Sequence, residues 1–292
     1  MGLIIGSHVG LTSPDYYLGS VREALSYNAN AFMIYTRSPQ RSYSIPLENL
    51  KEKEGKELLE SNGSIDVNNI VVHAPYILNF ASDDEIKRNF AFELLSDEIN
   101  RTAYLNINKI VLHPGNATNL NREQSLAWVI EGLNKVIENT KNCNVRILLE
   151  TMAGKGTEVG IKFEELKYII DGINNKERIG VCIDTCHMSD AGYDVLNNFD
   201  KVLDEFDKVV GISYIKCIHL NDSLNAVSSH KDRHANIGYG YLGFDCLMKI
   251  AYNEKLSNIP KILETPYIKG VAPYKYEIEM LRDKKFKEIV VQ

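Results

Sequence analysis

A chain of 292 residues with 44% hydrophobic and 25% charged side chains has the composition of a globular protein with a full core. No apolar stretch reaches the roughly 18–20 residues that a membrane helix needs, which argues against a membrane-spanning protein. The formal net charge of −6 weighs against a nucleic-acid partner, unless bound cations offset the acidic residues at a site.

The chain opens on an apolar run over residues 3–9 that contains His8. This is a strand pattern, without the basic leader of a signal peptide. A helical pattern over 14–29 leads to a second run, 31–35. A Lys/Glu-rich helical stretch over 47–61 then leads to Ile70-Val71-Val72-His73. Ser82-Asp83-Asp84-Glu85 fits a capping box, with Ile86, Phe90 and Leu94 recurring every four residues behind it. Four runs follow: Lys109-Ile110-Val111-Leu112-His113, Arg146-Ile147-Leu148-Leu149-Glu150, Gly180-Val181-Cys182-Ile183-Asp184 and Lys216-Cys217-Ile218-His219. Helical patterns over 122–139, 163–173 and 199–210 separate them. A helix over 244–252 precedes Lys261-Ile262-Leu263-Glu264, and another over 276–282 closes the series.

Runs that are apolar throughout and alternate with helices indicate an all-parallel sheet covered on its outer face. Eight of them predict an α/β fold, a closed (β/α)8 TIM barrel, as a single domain over residues 1–292. The competing fold is an open doubly wound sheet. Against it, Gly6-Ser7-His8-Val9-Gly10 lacks the Gly-rich phosphate fingerprint expected after its first strand. The five cysteines (Cys143, Cys182, Cys186, Cys217 and Cys246) are odd in number, and some fall inside the apolar runs. They read as reduced core thiols of a cytoplasmic protein.

Six of the runs end in a residue able to bind a metal: His73, His113, Glu150, Asp184, His219 and Glu264. Polar groups at the carboxyl ends of strands are the layout of a barrel active site. One such histidine is more often a hydrogen-bonded core residue, but six buried titratable groups at one mouth would be costly without a cation. Two loop groups add donors: His187, in Asp184-Thr185-Cys186-His187, and the pair Asp232 and His234. The spacing of that pair predicts that both point to one side of an extended segment. Histidine and carboxylate donors suit zinc, with manganese or iron as alternatives. Nine donors exceed the needs of one tetrahedral zinc and indicate a cluster of two or three metals. His8 is expected to face the barrel as a supporting or substrate-contacting residue, and His230 to lie solvated in a polar loop.

At these residues the sequence resembles the endonuclease IV family of apurinic/apyrimidinic endonucleases, which are DNA-repair phosphodiesterases. The likeness runs over almost the whole chain. Its most specific stretch is Val181-Cys182-Ile183-Asp184-Thr185-Cys186-His187 with Ala191-Gly192-Tyr193-Asp194. His219-Leu220-Asn221-Asp222-Ser223, Asp232-Arg233-His234 with Ile237-Gly238-Tyr239-Gly240, and Ile262-Leu263-Glu264-Thr265-Pro266 add to it. The resemblance implies a TIM barrel holding three zinc ions. His73, His113 and Glu150 would hold the first; Glu150 would bridge to a second shared with Asp184, His219 and Glu264; His187, Asp232 and His234 would hold the third.

It also implies hydrolysis of the phosphodiester on the 5′ side of an abasic sugar in duplex DNA, and cleaning of blocked 3′ ends. Clustered metals acidify water, so no separate general base is needed. Glu150, Asp232 and His234 are the implied catalytic residues, the last two through leaving-group charge. Arg41, in Gln40-Arg41-Ser42-Tyr43, and Tyr76, in His73-Ala74-Pro75-Tyr76, match side chains that enter the base stack. Ala74-Pro75 and Ser38-Pro39 depart from the family pattern in these loops. Family members act as monomers, and no membrane partner is expected. A one-metal sugar isomerase or epimerase on the same barrel type is the alternative, using Glu150, Asp184, His219 and Glu264. It leaves His73, His113, His187, Asp232 and His234 without a task. A nonenzymatic metal or DNA binder is a third class, and the complete ligand set argues against such decay.

Overall fold

The computed structural model describes residues 2–40, 42–118 and 121–291. Taken in chain order, the first half consists of β1 (Ile5–His8), α1 (Tyr16–Ser26), β2 (Ala31–Ile34), α2 (Glu52–Asn62), β3 (Ile70–His73), α3 (Glu85–Tyr104), β4 (Lys109–Leu112) and α4 (Arg122–Asn139). The second half contains β5 (Arg146–Glu150), α5 (Phe163–Gly172), β6 (Ile179–Asp184), α6 (Thr185–Ala191), α7 (Val195–Val209) and β7 (Ile215–His219). A short antiparallel pair follows, β8 (Asp222–Ser223) and β9 (His234–Ala235), then α8 (Gly243–Ala251), β10 (Lys261–Leu263) and α9 (Tyr274–Asp283). Eight parallel strands close into a barrel in the order β1-β10-β7-β6-β5-β4-β3-β2. The expected (β/α)8 architecture is therefore present. Among the described residues no helix is long and apolar enough to cross a membrane.

Side chains alternate along each strand between the lumen and the helices. Ala31, Met33, Val71, Val111, Leu148, Cys182, Cys217 and Ile262 form an apolar layer inside the barrel. The opposite strand faces join the helices in a second, larger core. Both faces are buried, which is why the runs read as continuously apolar. Closure brings backbones close: a side chain at Gly6 would sit 1.6 Å from the Ala31 carbonyl oxygen.

The register of β7 depends on an irregularity. Val181 pairs with Ile215, but the next residue, Cys182, pairs with Cys217, so Lys216 is an extra residue in the strand. A one-residue slip exchanges the two faces of a strand. The bulge therefore puts Cys217 and His219 level with Cys182 and Asp184.

Several local expectations need correction. The cap of α3 is Asp84, whose side chain accepts from the Ile86 N–H, and not Ser82. Ser82 instead accepts from the Asp84 N–H in a preceding turn. The four-residue recurrence is only partly a buried face: Ile86 and Phe90 are 80% and 38% exposed, whereas Leu94 is buried together with Ala91, Leu95 and Ile99. The stretch over 47–61 is interrupted at Lys51, which takes a left-handed conformation before α2. The helix expected over 199–210 begins earlier, at Val195, and is broken at Asn198.

The carboxyl of Glu277, on α9, is fully buried. It accepts from the Ile237 N–H at 2.9 Å, from Asn236 Nδ2 at 3.2 Å and from the Thr265 hydroxyl at 2.5 Å. These bonds tie α9 to the segment after β9 and to the residue after Glu264. Burial outweighs the three donors and pushes the carboxyl up from 4.5 to about 7. The folded chain thus holds this proton more tightly than the unfolded chain. The stability it contributes is complete below about pH 4.5 and is lost as the pH rises toward 7. Glu277→Gln keeps the shape and the acceptor for Ile237 and removes the titration. In urea unfolding, the stability of the variant relative to the native chain should rise by up to about 3 kcal/mol between pH 5 and pH 8. Parallel pH profiles for the two proteins would refute this.

Candidate metal centre

Two residues beyond the apolar lumen layer, on the same side of each strand, stand His73, His113, Glu150, Asp184, His219 and Glu264. Val71 leads to His73, Val111 to His113, Leu148 to Glu150, Cys182 to Asp184, Cys217 to His219 and Ile262 to Glu264. All six expected strand-end donors thus meet at one mouth. His73 Nε2 and His113 Nε2 each lie 3.2 Å from the same oxygen of Glu150, Oε2. The other oxygen, Oε1, faces His219 Nδ1 at 3.0 Å. That nitrogen also lies 2.9 Å from Glu264 Oε2 and 3.9 Å from Asp184 Oδ2. Glu150 therefore spans two donor groups, one oxygen to each.

The third group is built from loops and one short helix. His187 lies in the first turns of α6, not in a loop as the sequence suggested, because Asp184 caps that helix by accepting from the His187 N–H at 2.7 Å. Asp232 has φ of 53°, so the segment is turned and not extended as expected. The pair still converges, with His234 Nε2 3.8 Å from Asp232 Oδ1 and 3.6 Å from Asp184 Oδ2. His187 Nε2 lies 3.0 Å from Asp232 Oδ1. His73, His113 and Glu150 form one set that could hold a metal ion. Glu150, Asp184, His219 and Glu264 form a second, and His187, Asp232 and His234 a third.

The residues fit divalent cations on several counts. Ligands about 2.0–2.1 Å from a tetrahedral ion lie roughly 3.3 Å from one another, close to the spacings across these groups. His234 Nε2 is buried with no hydrogen-bond partner, although two carboxylates stand near it. The imidazoles are also oriented for coordination. The other ring nitrogen, Nδ1, donates to the Ala74 carbonyl in His73 at 2.7 Å and to the Thr151 carbonyl in His187 at 2.9 Å. A carbonyl can only accept, so Nδ1 of both rings carries a proton and Nε2 is the nitrogen that would face a cation.

Charge is concentrated here. Burial opposes ionisation of Glu150, but His219 and His113 outweigh it and hold the carboxyl well below its usual range. Burial likewise opposes charge on His187, and the carboxylates of Asp184, Asp232 and Glu150 raise it well above the ordinary value. For Asp232, burial is overcome by His187 and His234, which bring the carboxyl down to about 2.

Three supporting residues were not picked out from the sequence. Asn221, fully buried, donates Nδ2 to Asp184 Oδ2 at 2.8 Å and accepts from the Glu264 N–H at 2.8 Å. Its signal was a polar residue two positions after a strand-end histidine. Thr151 accepts from the Asp184 N–H through its hydroxyl at 2.9 Å. Buried Asp190 accepts from the Asp232 N–H at 2.8 Å and from the Ser223 hydroxyl at 3.0 Å, holding the Asp232 turn against β8. Nothing in the spacing of Asp190 announced this.

The donors open into a cavity of about 350 Å3 that Tyr76, Asn116, Lys155 and Glu158 also line. Tyr76 is 49% exposed. Its ring centroid lies 5.3 Å from that of His113, and its hydroxyl bonds the Tyr35 hydroxyl. His8 ends β1, with its ring edge-on to Tyr35 at 5.1 Å, and burial lowers its pKa so that it stays neutral. His230 is exposed as expected, although its Nδ1 lies 3.0 Å from the Ala153 carbonyl. Arg41 lies outside the described residues. Among the described residues, buried Arg37 bonds the Ser42 carbonyl, Asp97 and Glu98, while Arg101 donates to the Ile45 carbonyl at 2.8 Å. All five cysteines are free, and four are buried.

Comparison with known proteins agrees with this arrangement. Residues 21–284 match the family of xylose isomerase-like TIM barrels. The chain is 53% identical over 284 residues to a probable endonuclease 4 of Acholeplasma laidlawii, covering 97% of this chain and 96% of that protein. The crystal structure of endonuclease IV from Thermus thermophilus superposes with a TM-score of 0.84 at 28% identity, over 96% of this chain and 97% of that one. A D-tagatose 3-epimerase-like protein shares the fold, with a TM-score of 0.65 at 21% identity over 96% and 99% of the two chains.

If Asn221 positions the second group, Asn221→Leu should lower metal affinity about 10–100-fold, as loss of a supporting hydrogen bond does elsewhere. Competition against a chelator measures this. An unchanged affinity would mean that Asp184 and Glu264 need no such support.

Proposed function

Because the chain belongs to the xylose isomerase-like TIM barrel family, and within it to the endonuclease IV family, we propose that it is a metal-dependent DNA-repair hydrolase cutting on the 5′ side of abasic sites in duplex DNA. The products are a 3′-hydroxyl and a 5′-deoxyribose phosphate, and the same site clears blocked 3′ ends. The observation that carries this reading is the convergence of nine donors in three groups, with Glu150 common to two.

His73, His113 and Glu150 would hold one zinc ion, Glu150, Asp184, His219 and Glu264 a second, and His187, Asp232 and His234 a third. Manganese or iron could replace zinc at some of these sites. When bound, the cations supply an acidified water and neutralise charge on the phosphate. The chain's own groups do the rest. The carbonyls of Ala74 and Thr151 fix the imidazole tautomers. Asn221 and Asp190 fix the carboxylates and the Asp232 turn. Glu150 couples the first group to the second, and Asp232 and His234 would hold the third cation, whose charge would offset that of the departing oxygen.

An abasic nucleotide must leave the helix to reach this depth. Tyr76 at the rim is suited to fill the gap in the base stack, Arg41 is given the same role by its side-chain type, and His8 contacts the extruded sugar. We assign the protein to the cytoplasm, acting as a monomer and a single domain over residues 1–292. A sugar isomerase would use Glu150, Asp184, His219 and Glu264 alone, and the remaining five donors would have no task.

The test is cleavage of an end-labelled duplex carrying one reduced abasic analogue, without added magnesium. A single nick leaving a 3′-hydroxyl is expected, and a reduced site cannot undergo β-elimination. No nick from fully metallated protein overturns the reading. Asp232→Ala should lower turnover about 10²–10³-fold, because it loosens the cation that would offset charge developing on the leaving oxygen, while binding of the uncleaved duplex changes little. Equal losses in rate and affinity would contradict the role given to Asp232.

A further inference from the structure

The barrel has a second mouth. At its amino-terminal end, opposite the metal donors, Lys109 opens β4, Arg146 opens β5 and Lys216 is the extra residue near the start of β7. Lys109 and Arg146 are register partners. The three cations face a cavity of about 420 Å3, lined otherwise by asparagine amides and a short apolar edge at Ile259 and Pro260. Among the described residues no carboxylate lines it.

The cations are only partly engaged. Lys109 Nζ donates to the Asn68 carbonyl and, at 3.2 Å, to Asn108 Oδ1. Arg146 donates Nε to the Glu177 carbonyl at 2.7 Å, which leaves its terminal nitrogens free to bind elsewhere. The Lys216 ammonium makes no hydrogen bond or ion pair among the described residues. Burial and then the Arg146 charge hold the Lys216 ammonium below its ordinary range. Three like charges therefore converge on one cavity in a chain whose net charge is −6. A ligand carrying negative charge would relieve that repulsion.

We propose that this amino-terminal mouth binds a phosphate-type oxyanion between Arg146, Lys216 and Lys109. The guanidinium offers a planar fork for two oxygens of a tetrahedral anion, and the ammonium groups act as point charges. The asparagine amides supply neutral donors at the periphery. The anion is either free phosphate or a phosphate of the DNA backbone. The cavity is of the size that holds small-molecule ligands. The site is separate from the metal donors, with the apolar lumen layer between them.

The experiment is thermal unfolding of the full, metal-loaded chain in rising inorganic phosphate, with chloride matched for ionic strength. The native midpoint should rise and saturate, as expected for a ligand of the folded state. Phosphate can also reach the metal donors, so the decisive quantity is the difference between native protein and variant. Arg146→Gln and Lys216→Gln should each weaken the phosphate response about tenfold or more, the usual consequence of losing a charge-assisted hydrogen bond. Turnover of abasic duplex at saturating DNA should stay at the native rate, since neither residue lies at the metal donors. Both side chains are half-buried, so neither substitution opens the core. A response identical in the native protein and both variants, or no response at all, overturns the proposal. Titration with undamaged duplex identifies the source of the anion. Weaker binding by Arg146→Gln assigns it to the DNA backbone, and unchanged binding assigns it to free phosphate.

Discussion

Four carboxylates and five imidazoles face one barrel mouth, and most of them are withdrawn from water. That concentration of charge is the constraint on which the structure depends. An ion taken from water into a protein interior costs several kcal/mol even after relaxation. Glu150, Asp184 and Glu264 gather around His219 with their nearest oxygens within 4.8 Å. Imidazoles offset part of the charge, which is why Glu150 and His187 shift in opposite directions against the effect of burial. Divalent cations offset it without requiring every histidine to be protonated.

The scaffold around this cluster serves to hold it. Alternation along the strands places each donor two residues beyond an apolar lumen residue, so the layer that packs the barrel also aims the site. The bulge at Lys216 keeps β7 in step with β6, and without it His219 would face the helices. Beyond the strands, single polar residues take over this role. Asp222 accepts backbone N–H groups from Ser223, Gly238, Gly240 and Leu242, which closes the loop behind β8. Asp190 then fixes the turn that carries Asp232.

Much of this is legible in the sequence because barrel strands have a strong signature. A strand buried on both faces is apolar throughout, so a His, Asp or Glu at its end stands out. His73, His113, Glu150, Asp184, His219 and Glu264 can be read that way. What depends on loops is less legible. His187 reads as a loop residue because a seven-residue helix with buried Cys186 and Met188 has no amphipathic period to detect. Asp232 reads as extended because a left-handed aspartate leaves no mark in composition. The α3 face is misjudged at Ile86 and Phe90, though not at Leu94, because the buried side includes Glu98 and Arg101, whose charges mask the apolar stripe.

The two ends of the barrel differ in a way that follows from charge. One end gathers acids and imidazoles around positions suited to cations, and the other presents cations without acids. The central claim concerns the first end: the nine donors form three metal sites and not one. The most direct test is the metal content of protein purified without chelators or added metal, measured by mass spectrometry of the elements against protein concentration. The account predicts three divalent ions per chain, one for each donor group. Two or fewer ions per chain in active protein would contradict it.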